Sequence, residues 1–116
     1  MQDNRDQSGN KRQYFRIEYP ISYRPKLIIS YYIFEVLDIS EQGIKFFSKR
    51  ADGLKPGLKL SAKIVFKGGE SFNIKGKITR NTGKEVVLSL LEGIPMSKIM
   101  SEQRVLINKC PGHLKP

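Results

Sequence analysis

Hydrophobic and polar residues alternate through the middle of the chain. The segment LKLSAKIVF at 58–66 places an apolar residue at every second position, and SFNIKGKITR at 71–80 does largely the same. A period of two is typical of a β-strand with one buried face. The turn sequences KGGE at 67–70 and NTGK at 81–84 join these segments to each other and to EVVLSLL at 85–91. Because glycine in such short connections favours hairpins, the pattern predicts an antiparallel meander of three strands.

Three further strands are predicted upstream of the meander. IEYPISY at 17–23 alternates, and its Pro20 favours a sheet edge or a bulge. LIISYYIFEVLD at 27–38 is rich in β-branched and aromatic residues and predicts one long strand ending near Asp38, and GIKFFS at 43–48 predicts a shorter one. Six strands with turns at this spacing predict a mainly β fold, a six-stranded antiparallel β-barrel, because closure removes exposed strand edges.

The period becomes helical after Pro95. With one polar interruption, residues at helical spacing are Met96, Ile99, Met100, Gln103, Leu106, Ile107 and Cys110. Pro111 and Gly112 stop this run, so a closing amphipathic helix is expected at about 96–109. In the favoured interpretation its apolar stripe covers one end or face of the barrel, and in the alternative it binds a partner protein.

The two ends of the chain differ from the middle. Residues 1–11 contain no large apolar side chain after Met1, which predicts a flexible N-terminal arm. The expected organisation is therefore this arm, a single folded domain at 12–110 and a short tail at 111–116, in keeping with a length of 116 residues.

The charge balance points to an anionic partner. The chain has 21 lysines and arginines against 11 acidic residues, a net charge of +10, which does not choose among nucleic acid, nucleotide and anionic lipid. The single cysteine, Cys110, cannot form an internal disulfide, so the cytoplasm is the expected compartment. The apolar-rich run at 27–37 is too short to span a membrane, and no insertion into one is expected.

Catalytic chemistry is poorly represented. The lone histidine, His113, follows the predicted helix, and Cys110 lies on or beside the buried stripe of that helix, so no nucleophile and base are paired. Glycine-rich phosphate loops are also missing from the sequence. We therefore expect a binding protein without a metal or a resident cofactor rather than an enzyme.

Two short motifs carry the binding prediction. Arg12 and Arg16, preceded by Lys11, stand at the start of the folded domain and can clamp phosphate or read the O6 and N7 edge of guanine. In DISEQG at 38–43, Asp38 can accept the N1 and N2 protons of guanine and Ser40 projects to the same side in an extended chain. Each motif alone also fits a plain alternative: a solvated basic segment for the first, and for the second an ordinary turn whose glycine, Gly43, is able to adopt positive φ.

Taken together, RxxxR at 12–16 and DxSxxG at 38–43 resemble the two-part signature of the PilZ domain, a family of cyclic di-GMP receptors. The resemblance extends from Lys11 to about Cys110. It implies that Arg12 and Arg16 engage phosphate and guanine, and that Asp38, Ser40 and Gly43 hold the other side of the guanine. It further implies that Lys11 suits a stacked ligand dimer and that Arg80 lies against the ligand, the alternative for Arg80 being a solvated residue at the end of a strand.

The implied function is that of a receptor and adaptor. Binding of cyclic di-GMP would order the N-terminal arm and signal to a partner protein from a monomer or homodimer. The alternative is a small basic β-barrel that binds RNA or single-stranded DNA. The two differ in a measurable way, because nucleic-acid binding falls steeply with salt, whereas guanine recognition depends on Asp38 at any salt.

Overall fold

The computed structural model describes residues 16–49 and 53–110. The elements, in chain order, are β1 (Ile17–Glu18), a 3-10 helix (Ile21–Tyr23), β2 (Lys26–Ile29), β3 (Tyr32–Ile39), β4 (Gly43–Phe47), β5 (Lys59–Val65), β6 (Ser71–Asn81), β7 (Glu85–Glu92) and α1 (Met96–Lys109). The predicted arm at 1–11 and the predicted tail at 111–116 lie outside the described residues.

Six of the described strands close into a barrel. They pair in the order β3, β2, β5, β6, β7 and β4, and β4 pairs back with β3, every pairing being antiparallel. The predicted fold class and the predicted meander, which is β5–β6–β7, are therefore confirmed. The extra strand β1 pairs with Asp38 and Ile39 of β3, beside the half of β3 that β2 does not reach.

Two predicted strands are wrong in detail. The long strand at 27–38 is a hairpin, because Ser30 adopts the left-handed region with φ 56° and reverses the chain between β2 and β3. This turn contains neither glycine nor proline, so the sequence pattern did not indicate it. The strand at 17–23 ends after Glu18, and Pro20 precedes the 3-10 helix, in which the Tyr23 amide donates to the Pro20 carbonyl.

Helix α1 covers the barrel with a face that differs partly from the predicted stripe. Ile99 and Leu106 are fully buried in the core, as predicted, but Met96, Met100 and Ile107 remain substantially exposed. The buried face of the helix is completed by Lys98 and Glu102. Among the described residues, no helix has the length and apolar character needed to cross a membrane.

A buried polar network accommodates the charges of Lys98 and Glu102 on the buried face of α1. The Tyr19 hydroxyl donates to Glu102 Oε1 at 2.6 Å, and Lys98 Nζ lies 3.2 Å from Glu102 Oε2. Lys98 also pairs with Glu70 and lies 4.4 Å from the centroid of the Phe66 ring. Burial, followed by the bond to Glu102, raises the pKa of Tyr19, so the hydroxyl keeps its proton and donates. The network joins α1 to the segment after β1 and to the β5–β6 hairpin.

Candidate ligand-binding site

A cleft of about 380 Å³ on the outer surface of the barrel collects five of the residues predicted to bind ligand. These five are Arg16, Asp38, Ser40, Gly43 and Arg80, and Lys45 and Thr79 also line the cleft. Arg16 and Asp38 are distant in sequence, but pairing of β1 with β3 sets Glu18 opposite Asp38 and so brings the residue just before β1 to the same place. The volume lies within the range of about 300–1,000 Å³ that is usual for ligand pockets.

Two β-bulges build the walls of this cleft. In β3, Val36 pairs with Phe46 but Asp38 pairs with Lys45, so one residue of β3 is extra. The bulge turns Asp38 to the outside, although strict alternation from the buried Val36 would have placed it in the core. In β6, a second bulge between Ile78 and Arg80 gives Thr79 and Arg80 access to the same outer cleft.

Asp38 is the central acidic group of the site. It is only 6% exposed, and Arg16 Nη1 and Lys45 Nζ each lie 3.7 Å from its Oδ2 atom. These contacts are ion pairs, longer than hydrogen bonds. Burial raises the pKa of Asp38, and the positive charges of Arg16 and Lys45 oppose this shift without cancelling it. The carboxylate therefore pays a desolvation penalty that a close hydrogen-bond donor would reduce.

The loop between β3 and β4 holds Ser40 in place. The Ser40 amide donates to the Gly43 carbonyl at 2.9 Å, and the Gln42 amide donates to Ser40 Oγ at 3.2 Å. The Gln42 carbonyl in turn accepts from the Leu90 amide of β7 at 2.8 Å. Ser40 Oγ thus serves as an acceptor within its own turn, and this bond does not use the hydroxyl proton.

The space around Gly43 leaves little room for a side chain. Its φ lies outside the left-handed region, unlike that of Gly53, Gly57, Gly69 and Gly83, so Gly43 does not use the positive φ that the plain turn alternative allows. A Cβ at this position would lie 3.3 Å from the carbonyl oxygen of Leu88 on the neighbouring strand. Glycine therefore keeps β4 close to β7 and leaves the floor of the cleft without a side chain.

Sequence reasoning missed Lys45. Its ammonium bridges two carboxylates, at 3.7 Å from Asp38 Oδ2 and 3.7 Å from Glu85 Oε1. The signal was available, since Lys45 follows Gly43 by two residues in β4 and alternation places both on the same face. Lys45 therefore adds a third described cation to the cleft, after Arg16 and Arg80.

The structure brings together only part of the predicted basic motif. Arg16 lies at the cleft with a side chain that is 38% exposed, and Arg80 is exposed on the opposite wall. Lys11 and Arg12 lie outside the described residues, so their predicted role stays a prediction. His113 also lies outside them, while Cys110 is half-buried at the end of α1.

Two solved structures share this architecture. An uncharacterized protein of Legionella superposes with a TM-score of 0.59 at 16% identity, over 83% of this chain and 97% of that one. An inhibitor of motility from Bacillus subtilis superposes with a TM-score of 0.56 at 20% identity, over 87% of this chain. The match covers 54% of the Bacillus chain, so this protein spans about half its length. At these identities the likeness shows a shared fold.

The sequence itself identifies the family. No functionally curated protein matches it significantly. The PilZ domain matches residues 10–106, which include both motifs, all seven described strands and most of α1. Because this match covers most of the chain, the protein belongs to the PilZ domain family.

Proposed function

We propose that the protein is a cyclic di-GMP receptor whose ligand binds in the cleft between Arg16 and Asp38. The observation that carries this proposal is the convergence of Arg16, Asp38, Ser40, Gly43 and Arg80 on one outer cleft. Membership of a family of cyclic di-GMP receptors supports the same ligand. Cyclic di-GMP is a compact dianion with two guanines, so its site needs cations for the phosphates and a carboxylate for guanine. This cleft offers cations and a carboxylate.

The guanine is held by Asp38. An ionised carboxylate accepts the N1 and N2 protons of guanine in two parallel hydrogen bonds, and each charge-assisted bond contributes about 1.5–3 kcal/mol. The ion pairs of Asp38 in the free protein, at 3.7 Å, are longer than such bonds. Guanine therefore gives the buried carboxylate closer donors than the free cleft provides.

The cations hold the charged part of the ligand. Arg16 engages phosphate or the Hoogsteen edge of guanine, and Lys11 and Arg12 complete the contact from the N-terminal side. In doing so the ligand orders the arm at 1–11 across the barrel. This ordering creates a surface that an effector protein recognises, so the protein acts as an adaptor in the cytoplasm.

Titration calorimetry of the full chain with cyclic di-GMP tests the proposal, with GTP as the matched control. We expect saturable binding of cyclic di-GMP and much weaker binding of GTP. The same titration gives the number of ligands per chain, which distinguishes a single ligand from a stacked dimer. Failure of cyclic di-GMP to bind, or equal binding of GTP, would contradict the proposed receptor function.

Nucleic-acid binding is the competing function, favoured by the net charge of +10. The buried carboxylate of Asp38 disfavours nucleic-acid binding at this cleft, because a carboxylate repels a phosphate backbone. Such a carboxylate favours binding only where it accepts hydrogen bonds from the edge of a base. Asp38→Ala separates the two functions. Cyclic di-GMP binding should be lost in this variant at every salt concentration, whereas nonspecific oligonucleotide binding should persist and weaken with salt.

A further inference from the structure

Four lysines project from the outer surface of the β5–β6 hairpin. Strand alternation sends Ala62 and Ile64 of β5, and Ile74 and Ile78 of β6, into the core. The opposite, exposed side carries what we call the lysine face, defined by Lys59, Lys63, Lys75 and Lys77.

The register concentrates these charges. Lys59 stands directly opposite Lys77, Lys75 stands opposite Ser61, and Lys63 stands opposite Asn73. Directly opposed residues in antiparallel strands have Cβ atoms about 5 Å apart, and like charges at such positions are destabilising. The free protein therefore accepts an unfavourable charge cluster that an anion bound between the lysines would relieve.

The described residues do not neutralise this cluster. Elsewhere in the molecule, Arg24 pairs with Glu35, Lys98 with two glutamates, and Lys45 with two carboxylates. In contrast, none of the four lysines forms an ion pair with a described carboxylate, although Glu92 lies opposite Lys75 in the register. The positive charge of the lysine face is thus available to an outside partner.

The chemistry between the lysines favours a polypeptide as that partner. Ser61 and Asn73 line a shallow depression of about 420 Å³ together with Lys63, Lys75 and Glu92, and they offer neutral hydrogen-bonding groups suited to a peptide backbone. The face presents no aromatic ring on which a nucleic-acid base could stack, and no arginine whose planar guanidinium could grip a phosphate through two bonds. A second copy of this chain is disfavoured because it would bring another set of lysines.

We propose that the lysine face binds an acid-rich segment of a partner protein. Lys75 and Lys77 project from the same side of β6 two residues apart, about 7 Å, which matches the spacing of alternate carboxylates on an extended acidic segment. The lysine face adjoins the cleft along one row of the sheet, because Lys77 pairs with Ser89 and Ser89 pairs with Gly43. The role of this surface as the effector surface rests on the proposed function, whereas binding to it can be measured without nucleotide.

Fluorescence anisotropy with the full chain tests the proposal. The probe is a short labelled peptide in which glutamate alternates with serine, and the control peptide carries glutamine in place of glutamate. The test variant is Lys75→Gln/Lys77→Gln. The matched control is Arg104→Gln/Lys109→Gln, which removes the same two charges from exposed positions on α1.

We expect the test variant to bind the acidic peptide about three- to tenfold more weakly than the unaltered chain, because two exposed ion pairs are lost. The control variant should stay within about twofold of the unaltered chain. Equal weakening in both variants would overturn the proposal by showing that net charge alone attracts the peptide. Melting temperatures check that both variants fold.

Two further probes decide the class of partner. A single-stranded DNA oligonucleotide and phosphatidylglycerol vesicles are titrated at the same ionic strength. One outcome would overturn the assignment to a protein partner. In that outcome, the oligonucleotide or the vesicles bind more tightly than the acidic peptide, and only Lys75→Gln/Lys77→Gln weakens this binding. Binding of cyclic di-GMP to the test variant should be unchanged. If the unaltered chain fails to bind cyclic di-GMP but still binds the peptide at these lysines, the receptor function fails and the lysine face stands.

Discussion

Two buried carboxylates of this protein lie in similar settings but differ in how their oxygens are used. Asp38 at the outer cleft is 6% exposed and Glu102 on the buried face of α1 is 8% exposed, and each faces positive charge. Glu102 accepts a hydrogen bond of 2.6 Å from Tyr19 and lies 3.2 Å from Lys98. Asp38 has its two described cations at 3.7 Å, beyond hydrogen-bonding distance.

Because of this difference, we expect Glu102 to contribute to the stability of the fold and Asp38 to contribute to ligand binding. A buried charge with close donors recovers much of its desolvation penalty within the fold, and removing it leaves its partners uncompensated. A buried charge with only distant counterions retains strong acceptors for a ligand that brings its own donors. The four predictions that follow test this division, in order of decreasing effect.

The largest effect is expected for Glu102→Ala. Removal of this carboxylate takes away the acceptor of Tyr19 and one counterion of the buried Lys98, so the free energy of unfolding should fall by about 3–5 kcal/mol. Urea denaturation measures the change. Tyr19→Phe, which removes only the donor, should cost about 1–3 kcal/mol. A loss below 1 kcal/mol in Glu102→Ala would contradict a structural role for the network.

Asp38→Ala should have the opposite profile. Loss of two charge-assisted hydrogen bonds to guanine should weaken cyclic di-GMP binding by about a hundredfold or more. The free energy of unfolding should change little, because the variant also removes the desolvation penalty of a buried carboxylate. Calorimetric titration and urea denaturation of the same sample check both halves. A large loss of stability with unchanged affinity would assign Asp38 to the fold instead.

Arg16→Ala should weaken binding by roughly tenfold and leave the barrel folded, since the side chain is partly exposed and contributes one charged contact. The matched control is Arg104→Ala, an exposed arginine on α1 away from the cleft. Titration calorimetry compares the two. Equal affinity in both variants would remove Arg16 from the site.

The smallest effect is the pH dependence. Burial raises the pKa of Asp38 above the usual 3.8 in the free protein, and donors from guanine should lower it in the complex. The affinity for cyclic di-GMP should therefore reach its full value at pH values above the raised pKa of Asp38. It should fall by at most about tenfold per pH unit as the pH drops through that pKa. Titrations across this range with Asp38→Asn as a pH-insensitive control measure the slope. Stronger binding at lower pH would contradict an ionised carboxylate in the complex.

The sequence predicted the regular parts of the fold and missed the irregular ones. Alternation located β5, β6 and β7 because each carries a clear inward set of apolar residues. It failed at Ser30, where a residue other than glycine takes φ 56°. It also failed to foresee Lys98 and Glu102 as buried, because charged residues enter a core only with partners, here Tyr19 and Glu70, that are distant in sequence.

The candidate site was predicted through a family motif. The sequence did not show how the motif residues come to face the outer cleft. Period-two alternation from Ile74 and Ile78 would turn Arg80 inward, and alternation from Val36 would turn Asp38 inward. Both residues reach the cleft because a bulge precedes each of them. A bulge of this kind leaves no sequence signature in Leu37 or Thr79, so only pairing registers reveal it.

The two bulges constrain how such a site can arise and be lost. Substitution at a bulge changes a side chain but keeps the count of residues, so every later position retains its inside or outside orientation. Deletion of the one surplus residue, Leu37, would place Asp38 directly after the inward-facing Val36, so regular alternation would still turn Asp38 outward and Ile39 inward. A change of one residue in chain length at the bulge therefore preserves the chemistry of this surface, whereas the same change taken up by regular pairing elsewhere in β3 would exchange its two faces.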